Sequence, residues 1–445
     1  KSYMLQGSYY GDNTVIKLLS FGGKAKTYLT YTGVTKEEME LYGRRYHSEG
    51  QYETDSGPYQ LADGTHVDYY DDHTDNYLQL NNQLIVNQRL SDRWMLNLTG
   101  FYTYGYGYYR QYKADRTLAE YLNLGITDYG VEADIIRSKV MENHTGGVNA
   151  AAAYKADNLS LIVGGSWSVY ACPHWGELDW VDGMIESAIA GRWYDNDVRK
   201  QDANIFAKVD WSVVRGLDIV ADVQYRHVHY KAWGVNDNFD WNRMEMQPVD
   251  VNKSYNFLNP RVGINYNFAR YHLLYASAAI AHKEPTRSDF TDRYMFSADD
   301  SYPKPERLID FEVGYTYIAP RLSLGINLYY MLYHNQLVAT GMVNDGDDAL
   351  NTNVDKSYRR GVELMASWRV AKWFTLSANA TLSQNKMKDY VDELKDSPTY
   401  GENLGEKTIS YSPSVVGSLI ADFHIGGFSA LWHTQYVGKQ YFTNN

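Results

Sequence analysis

Aromatic and cationic side chains are concentrated in three polar stretches of the sequence, where they could capture a ligand. Tyr, Trp and Arg offer a large contact area and lose few rotamers on binding, which suits recognition. The competing interpretation is a girdle at a membrane interface, where Trp and Tyr also collect. The candidate ligand-binding residues are Tyr106, Tyr108, Tyr109, His174, Trp175, Trp180, Trp233, Trp241 and Arg243.

Residue patterns for covalent or metal chemistry are weak by comparison. The sequence contains no nucleophile elbow, phosphate-binding loop or zinc-protease motif. Its single cysteine, Cys172, cannot form an internal disulfide, and no spacing of Cys and His matches a zinc site. His227 and His229 would share one face of a strand, either as a metal pair or as part of a polar wall. We therefore predict neither an enzyme nor a resident metal or cofactor.

Composition limits the class of protein that could carry these residues. A net charge of -12 and a pI near 5.5 argue against a nucleic-acid-binding surface, which needs clustered Lys and Arg. No apolar run approaches the ~18 residues that a membrane-spanning helix requires. The 445 residues also contain no stretch with the composition of a linker, so one architecture should account for the whole chain.

The hydrophobic pattern has the period of β-strands. In the segment LSLGINLYYMLY, which starts at Leu322, every second residue is apolar and most of the others are small or polar. The segment FTLSANATLS from Phe374 repeats this pattern. The alternation persists for about ten residues, the length of a tilted strand that crosses a bilayer, whereas strands of a soluble sandwich run about five or six. The pattern therefore predicts an all-β protein, a transmembrane antiparallel β-barrel.

The connections between these segments alternate in length. Short turns such as KADN before Leu159 and IAPR before Leu322 join some neighbours. Long polar stretches join others, including 33–75, 111–142, 172–201 and 231–255. Short periplasmic turns and long extracellular loops are typical of outer-membrane barrels. We count about sixteen strands and expect the candidate residues to lie at the extracellular mouth.

Several motifs in the second half of the chain resemble the barrel of TonB-dependent receptors, in particular those of the Bacteroides type. They are FLNPRVGINYNF from Phe257, HLLYASAAIAHKEPTRSDF from His272, PKPERLIDFEVGYTY from Pro303 and LGINLYYMLYHNQLV from Leu324. The resemblance implies a 22-stranded up-and-down barrel that is closed by an N-terminal plug, with a TonB-contacting segment before the plug. Residues 1–445 would then form a barrel domain with about sixteen of the 22 strands, without the plug and with about three strands missing at each end.

The same resemblance implies a function and partners. A receptor of this family lies in the bacterial outer membrane, surrounded by lipid, and imports a scarce small molecule with energy that TonB transmits. We expect a ferric siderophore first and cobalamin second, with haem or an oligosaccharide as further alternatives. We expect a monomeric barrel, and a surface lipoprotein is a further candidate partner. From a different class, a passive porin or a barrel-anchored adhesin would explain the alternation and the connection lengths equally well.

Overall fold

The computed structural model describes residues 1–241, 243–292, 303–343, 349–393 and 397–444. These residues are mostly in antiparallel β-strands, with two short α-helices, α1 (Lys36–Tyr42) and α2 (Arg287–Thr291). In this part of the chain, no helix has the length and the apolar content that crossing a membrane would require.

The described residues form twenty strands, and sixteen of them contain nine or more residues, in agreement with the number predicted from the sequence. The strands are β1 (Ser2–Tyr10), β2 (Thr14–Tyr28), β3 (Gln51–Glu53), β4 (Tyr59–Gln60), β5 (His66–Tyr69), β6 (Thr74–Arg89), β7 (Trp94–Thr117), β8 (Glu132–Lys155), β9 (Leu159–Val181), β10 (Arg192–Val214), β11 (Leu217–Asp240), β12 (Glu245–Ala269), β13 (His272–Lys283), β14 (Glu306–Ile318), β15 (Leu322–Val343), β16 (Ala349–Ala371), β17 (Phe374–Lys388), β18 (Lys407–Thr408), β19 (Val415–Ile425) and β20 (Phe428–Val437).

Pairing of the long strands follows chain order, which confirms the predicted antiparallel up-and-down topology. β1 pairs with β2, β2 with β6, and β6 with β7. The series continues from β7 to β17 and ends with β19 and β20. The short strands β3, β4 and β5 form a separate small sheet in the connection between β2 and β6. Pairing provides hydrogen-bond partners for the backbone N–H and C=O groups of the long strands. Lipid chains cannot provide such partners.

The register of β14 to β17 separates an apolar face from a polar face. Leu324, Ile326 and Leu328 of β15 lie on the apolar face and are 42%, 38% and 48% exposed. Asn327 lies on the polar face, is 6% exposed, and donates to the carboxylates of Glu312 and Glu363 at 3.4 and 3.2 Å. The residues in the same three rows on β16 and β17 are also apolar. They are Ala366, Leu364 and Val362 on β16, and Ala378, Ala380 and Leu382 on β17.

The short connections that the sequence predicts are confirmed. Residues 156–158 join β8 to β9, residues 319–321 join β14 to β15, and residues 372–373 join β16 to β17. Because neighbouring strands are antiparallel, these turns lie at one end of the strands and the longer connections lie at the other. Outer-membrane barrels have the same arrangement, with short turns at the periplasmic end and longer loops at the extracellular end.

Three of the predicted long loops are shorter than expected because the strands on either side continue into them. The stretch predicted from 231 to 255 is reduced to the four residues between β11 and β12. The stretches 111–142 and 172–201 shorten to 118–131 and 182–191. Both faces of these strand extensions mix polar, aromatic and aliphatic side chains, so the alternation that identifies a strand is lost there.

Contacts divide the chain into two compact units. Unit 1 comprises residues 1–151, 165–203 and 227–254, and unit 2 comprises residues 152–164, 204–226 and 255–445. Unit 2 contains a small hydrophobic core at the long-loop ends of its strands, formed by Val338, Val354, Met387, Tyr390 and Ile409. Unit 1 contains a larger core, which carries the candidate site.

Leu328→Arg should impair assembly much more than Asn327→Arg. A guanidinium on the apolar face near the middle of a bilayer costs about 2–4 kcal/mol. At position 327 the same group would face the carboxylates of Glu312 and Glu363. The refolding yield of the full-length protein in lipid vesicles measures the difference. Equal yields for the two variants would contradict this assignment of the faces.

Candidate functional site: a folded loop core

The long-loop ends of β7 to β12 fold onto a shared hydrophobic core in unit 1, which we call the loop core. It combines residues of the 118–131 and 182–191 connections with residues of the adjoining strand ends. The rings of Tyr121 and Trp193 meet at a steep angle, with centroids 5.1 Å apart. Such a core holds the connections in one arrangement. Its buried members are Leu118, Tyr121, Ile135, Leu178, Val181, Ile189, Trp193, Tyr194 and Met246.

Two cations near the long-loop end of β8, Arg137 and Lys139, are buried against the loop core. Arg137 donates to Gln111 Oε1 from Nε at 3.2 Å and from Nη2 at 3.1 Å. Its Nη1 donates to the Tyr121 hydroxyl at 3.3 Å. Lys139 Nζ donates to Asp237 Oδ2 at 2.5 Å. Both cations therefore have polar partners although only 8% and 7% of their surfaces are exposed.

Aromatic rings cover both cations. The centroid of the Trp193 ring lies 5.8 Å from Arg137 Cζ and 6.0 Å from Lys139 Nζ, and that of Tyr109 lies 5.8 Å from Lys139 Nζ. Burial by itself lowers the pKa of Lys139 and Arg137 lowers it further, but Asp237 and Tyr109 outweigh both and hold the pKa above its ordinary value. The ammonium stays charged, so this pair of buried cations has one carboxylate, Asp237, as a direct partner.

The register of β6 with β7 places the three candidate tyrosines on opposite faces of β7. Tyr106 and Tyr108 share a face with Leu96 and Leu98, which are 37% and 42% exposed. Their rings lie 6.2 Å apart, in a position that suits an interface girdle. Tyr109 lies on the other face, where it contacts Lys139. Of the three tyrosines, Tyr109 is the one that adjoins the buried cations.

His174 and Trp175 belong to β9 and not to a loop. His174 Nε2 lies 3.6 Å from Cys172 Sγ. Trp175 is only 8% exposed, because the guanidinium of Arg192 lies 4.3 Å from its ring centroid. Its Nε1 donates to the Glu177 carboxylate at 2.8 Å. Trp175 is therefore a packed residue at the strand end.

Trp180 and Trp233 are exposed at the surface of unit 1. Each side chain leaves 39% of its surface accessible. Lys231 Nζ lies 4.9 Å from the centroid of the Trp233 ring, so a cation and an aromatic face are presented together. Both rings are available to a ligand while the loop core stays closed.

Trp241 is the most exposed of the candidate tryptophans, at 51%. It forms an aromatic cluster with Phe239, 5.0 Å away, and with Tyr129, 5.8 Å away. Arg243 lies beside this cluster in sequence, with its Nε 3.8 Å from Asp240 Oδ2 and its side chain 59% exposed. The aromatic cluster and the guanidinium offer an accessible surface with both apolar and charged groups.

Sequence reasoning missed the buried part of the site. Arg137, Lys139 and Trp193 were not among the candidate residues, although the segment IIRSKV places two cations on one face of an otherwise mostly apolar strand segment. Two cations at this spacing in such a segment usually have a buried partner or a ligand, because burial without one is costly. That signal was therefore present in the sequence.

His227 and His229, the two histidines considered for a metal pair, lie on β11. No group of three or more His, Cys, Asp or Glu side chains in the described ranges is arranged to hold an ion. His229 has its Nδ1 2.9 Å from the Ser254 hydroxyl. This contact suits a polar wall.

His73 is fully buried and forms hydrogen bonds between the β2–β6 connection and the neighbouring strands. The His73 carbonyl accepts from the Leu29 N–H at 2.9 Å, and its Nδ1 accepts from the Tyr112 N–H at 3.2 Å. The neutral ring therefore carries its proton on Nε2, 3.5 Å from Glu49 Oε2. Burial, the largest effect, lowers the pKa of His73 together with Lys113, against the opposing effect of Glu49, and burial also lowers the pKa of His47.

Comparison with known proteins identifies the family. The sequence profile of the family described as TonB dependent receptor-like, beta-barrel matches residues 8–445. The chain belongs to this TonB-dependent receptor family. Its members are receptors and transporters of the Gram-negative outer membrane that bind small molecules and interact with TonB. The predicted barrel fold is confirmed by this match and by the solved structures described next.

Solved structures of receptors and of a transporter share the fold over nearly the whole chain. The ferric-catecholate import receptor Fiu from E. coli K12 is 13% identical, with a TM-score of 0.61, and the match covers 98% of this chain and 64% of Fiu. The ferric yersiniabactin uptake receptor FyuA from Yersinia pestis is 12% identical, with a TM-score of 0.61 and coverage of 97% and 58%. The copper transporter OprC is 12% identical, with a TM-score of 0.67 and the same coverage. No protein with a curated description matches.

Asp237→Asn should open the loop core more than Asp195→Asn. Without the Asp237 charge, buried Lys139 loses its carboxylate, and breaking a buried pair in this way costs about 3–5 kcal/mol. Asp195 pairs with Arg192 at the surface, where a pair contributes about 0–1 kcal/mol. Limited proteolysis of the intact receptor measures the opening. Similar cleavage of both variants would mean that the buried pair does not hold the loop core.

Acidification should loosen the connection between β2 and β6. The folded connection holds the pKa of His73 and of His47 below the ordinary value of about 6.5. The opened connection takes up protons that the folded one excludes, so stability that is present above pH ~6.5 is lost as the pH falls toward the folded pKa values. Hydrogen exchange of residues 29–73 on either side of that pH measures the change.

Two substitutions test the cause of this pH dependence. His73→Asn keeps an acceptor for the Tyr112 N–H but cannot take up a proton, so the pH dependence should shrink. His66→Asn is the control, because His66 lies in the same connection and is partly exposed. If His73→Asn combined with His47→Asn retained the full pH dependence, other groups would have to be responsible.

Proposed function

We propose that this chain is the barrel portion of an outer-membrane TonB-dependent receptor that imports a ferric siderophore. Family membership over residues 8–445 supports the receptor class. Two solved proteins with the same fold are named as receptors for ferric catecholates and for ferric yersiniabactin, which supports the choice of ligand class.

The observation that carries the choice of ligand is that unit 1 contains both exposed aromatic rings and buried cations. Two buried cations, Arg137 and Lys139, have Asp237 as a direct carboxylate partner, so the loop core holds a local positive charge that would favour an anionic ligand. Iron chelates built from catecholate or carboxylate groups are anionic. The exposed rings around Trp241 and Trp233 provide the contact area for such a ligand.

The candidate residues take different roles in this proposal. Trp180, Trp233, Trp241 and Arg243 make the first contacts, because they are exposed. The remaining candidates support or surround the site: Tyr109 lies against Lys139, His174 and Trp175 are packed in β9, and Tyr106 and Tyr108 lie on the apolar face of β7.

TonB would supply the energy for import through parts of the full-length protein other than residues 1–445. The chain spans 58–64% of the length of the three solved proteins named above. We place the plug and the TonB-contacting segment in the remainder of the full-length protein. The receptor would work as a monomer in the outer membrane, and a surface lipoprotein stays a candidate partner.

Trp241→Ala and Arg243→Ala in the full-length receptor should each weaken siderophore binding by about 1–2 kcal/mol, the loss expected for a central contact. Tyr106→Ala is the matched control, because its ring lies on the apolar face of β7. Binding to a panel of ferric siderophores, cobalamin, haem and oligosaccharides measures the effect. Tight cobalamin binding with no response to any iron chelate would overturn the siderophore assignment.

Deletion of the TonB-contacting segment should abolish uptake but leave binding intact. This outcome separates an active receptor from a passive porin or an adhesin. Uptake that persists without that segment would contradict the receptor class.

A further inference from the structure

A largely buried ion pair joins β11 to the connection that follows β13. The guanidinium of Arg226 donates to both carboxylate oxygens of Glu284, from Nη1 to Oε2 at 2.7 Å and from Nη2 to Oε1 at 2.8 Å. The two side chains are only 21% and 10% exposed. A guanidinium recognises a carboxylate through two parallel hydrogen bonds of this kind. Arg226 therefore holds Glu284 in the way that it would hold a carboxylate of a ligand.

Arg226 lies on the polar face of β11. Val223 and Tyr225, on the other face of this strand, are 43% and 45% exposed. Gln224 shares the face of Arg226 and accepts from Asn259 of β12 at 3.1 Å. The polar face of an outer-membrane barrel lines its interior. Arg226 therefore belongs to the wall along which an imported ligand would pass.

Glu284 is the first residue of a folded segment, residues 284–292, which we call the strap. Because β12 lies between β11 and β13 in the sheet, Glu284 must reach back across β12 to contact Arg226. Asp289, in helix α2 of the strap, accepts from the side-chain amide of Asn351 of β16 at 3.1 Å. Side-chain contacts to β11 and β16 therefore hold the strap at two points.

Aromatic rings lie beside the ion pair. Phe257 of β12 stacks on His282, with ring centroids 5.2 Å apart and planes at 9°, and on Tyr255, at 5.8 Å and 13°. Phe257 is 4% exposed, and Tyr255 is partly exposed. Tyr255 is also within electrostatic reach of Glu284. A carboxylate bound at Arg226 would therefore have an aromatic surface next to it.

Exchange of one carboxylate for another at Arg226 avoids the main cost of breaking a buried ion pair. Removal of one partner normally leaves the other charge buried without compensation, which is strongly destabilising. A ligand carboxylate would take the place of Glu284 at the same guanidinium, so Arg226 would stay paired. The displaced Glu284 would regain water as the strap moved away. Glu284 can therefore act as an internal competitor of a ligand.

We propose that Arg226 is a binding site for a carboxylate group of the imported ligand. Glu284 occupies this site until such a ligand displaces it and releases the strap. The inference rests on the proposed import of an iron chelate and deepens it, because it selects chelates that carry free carboxylates. The two parallel hydrogen bonds, the position on the polar face and the adjoining rings support this class of ligand.

Binding of two iron chelates to the full-length receptor in detergent tests the ligand class. Ferric aerobactin and ferric schizokinen both hold iron through hydroxamates and a citrate unit, but aerobactin carries additional free carboxylates. The wild type should bind aerobactin more tightly. Arg226→Gln should weaken aerobactin binding by about 10- to 100-fold, the loss expected for hydrogen bonds to a charged group, and schizokinen binding by much less. Equal binding of the two chelates by the wild type, or similar losses for both in the variant, would overturn the proposal.

Glu284→Gln tests the internal competition. The glutamine has nearly the same shape but no charge, so Arg226 becomes available to the ligand. If Glu284 closes the site in about nine of ten molecules, aerobactin should bind this variant about tenfold more tightly than the wild type. The matched control is Asp222→Asn, which removes a negative charge from the same face of β11 and leaves the ion pair in place. An equal gain in the control would mean that Glu284 does not compete with the ligand.

Hydrogen exchange of residues 284–292 measures the release of the strap. Aerobactin should raise the exchange in the wild type, whereas schizokinen should not. Arg226→Lys keeps the charge but cannot form two parallel hydrogen bonds with a carboxylate, so it should lose most of the preference for aerobactin. If aerobactin bound the wild type and left the exchange of the strap unchanged, Glu284 would be a structural partner only and the proposal would be wrong.

Folding and the proposed import are monitored separately. Arg226→Gln combined with Glu284→Gln removes both buried charges, so a loss of aerobactin binding in this variant cannot come from an unpaired Glu284. Arg261→Gln removes an exposed cation from β12 and should keep the preference for aerobactin. Binding of other ferric siderophores without a preference for aerobactin would contradict only the carboxylate site. Aerobactin binding that depends on Arg226, without TonB-dependent uptake, would contradict only the proposed import.

Discussion

Satisfaction of the backbone hydrogen bonds is the constraint on which the rest of this structure depends. A strand in lipid has no water to bond to, so each long strand must pair with its neighbours in chain order. Pairing fixes the register, and the register decides which face every side chain occupies. Leu328 and Asn327 are adjacent in sequence, yet one is exposed on the apolar face and the other is bonded to two carboxylates on the polar face. The apolar band and the polar face of β14 to β17 both follow from this alternation.

Much of the fold could be predicted because alternation is a local property. The strands around Leu322 and Phe374, and the short turns that precede them, are visible in a window of a dozen residues. The extensions of β7 to β12 beyond the apolar band could not be predicted in the same way. Their faces are covered by other connections or by solvent, and neither environment requires apolar and polar residues to alternate.

The candidate site was less predictable because its parts come together through tertiary packing. Tyr106 and Tyr109 are three residues apart, and only their register with β6 reveals that they lie on opposite faces. Trp175 looked like a loop residue, but Arg192 covers its ring. The contact between Lys139 and Asp237 joins residues 98 positions apart, and nothing in either local sequence specifies the partner.

Net charge is a poor guide to what a barrel surface can bind. The chain carries a formal charge of -12, which argued against a nucleic-acid-binding surface. That sum ignores position, whereas electrostatic attraction between exposed groups decays within about 10 Å at moderate ionic strength. Lys356 and Lys388 lie far apart in sequence but are opposite each other in the ladder, and His334 and Arg307 extend the same row. An acidic protein therefore contains a row of four basic side chains, because strand register and not composition determines which charges become neighbours.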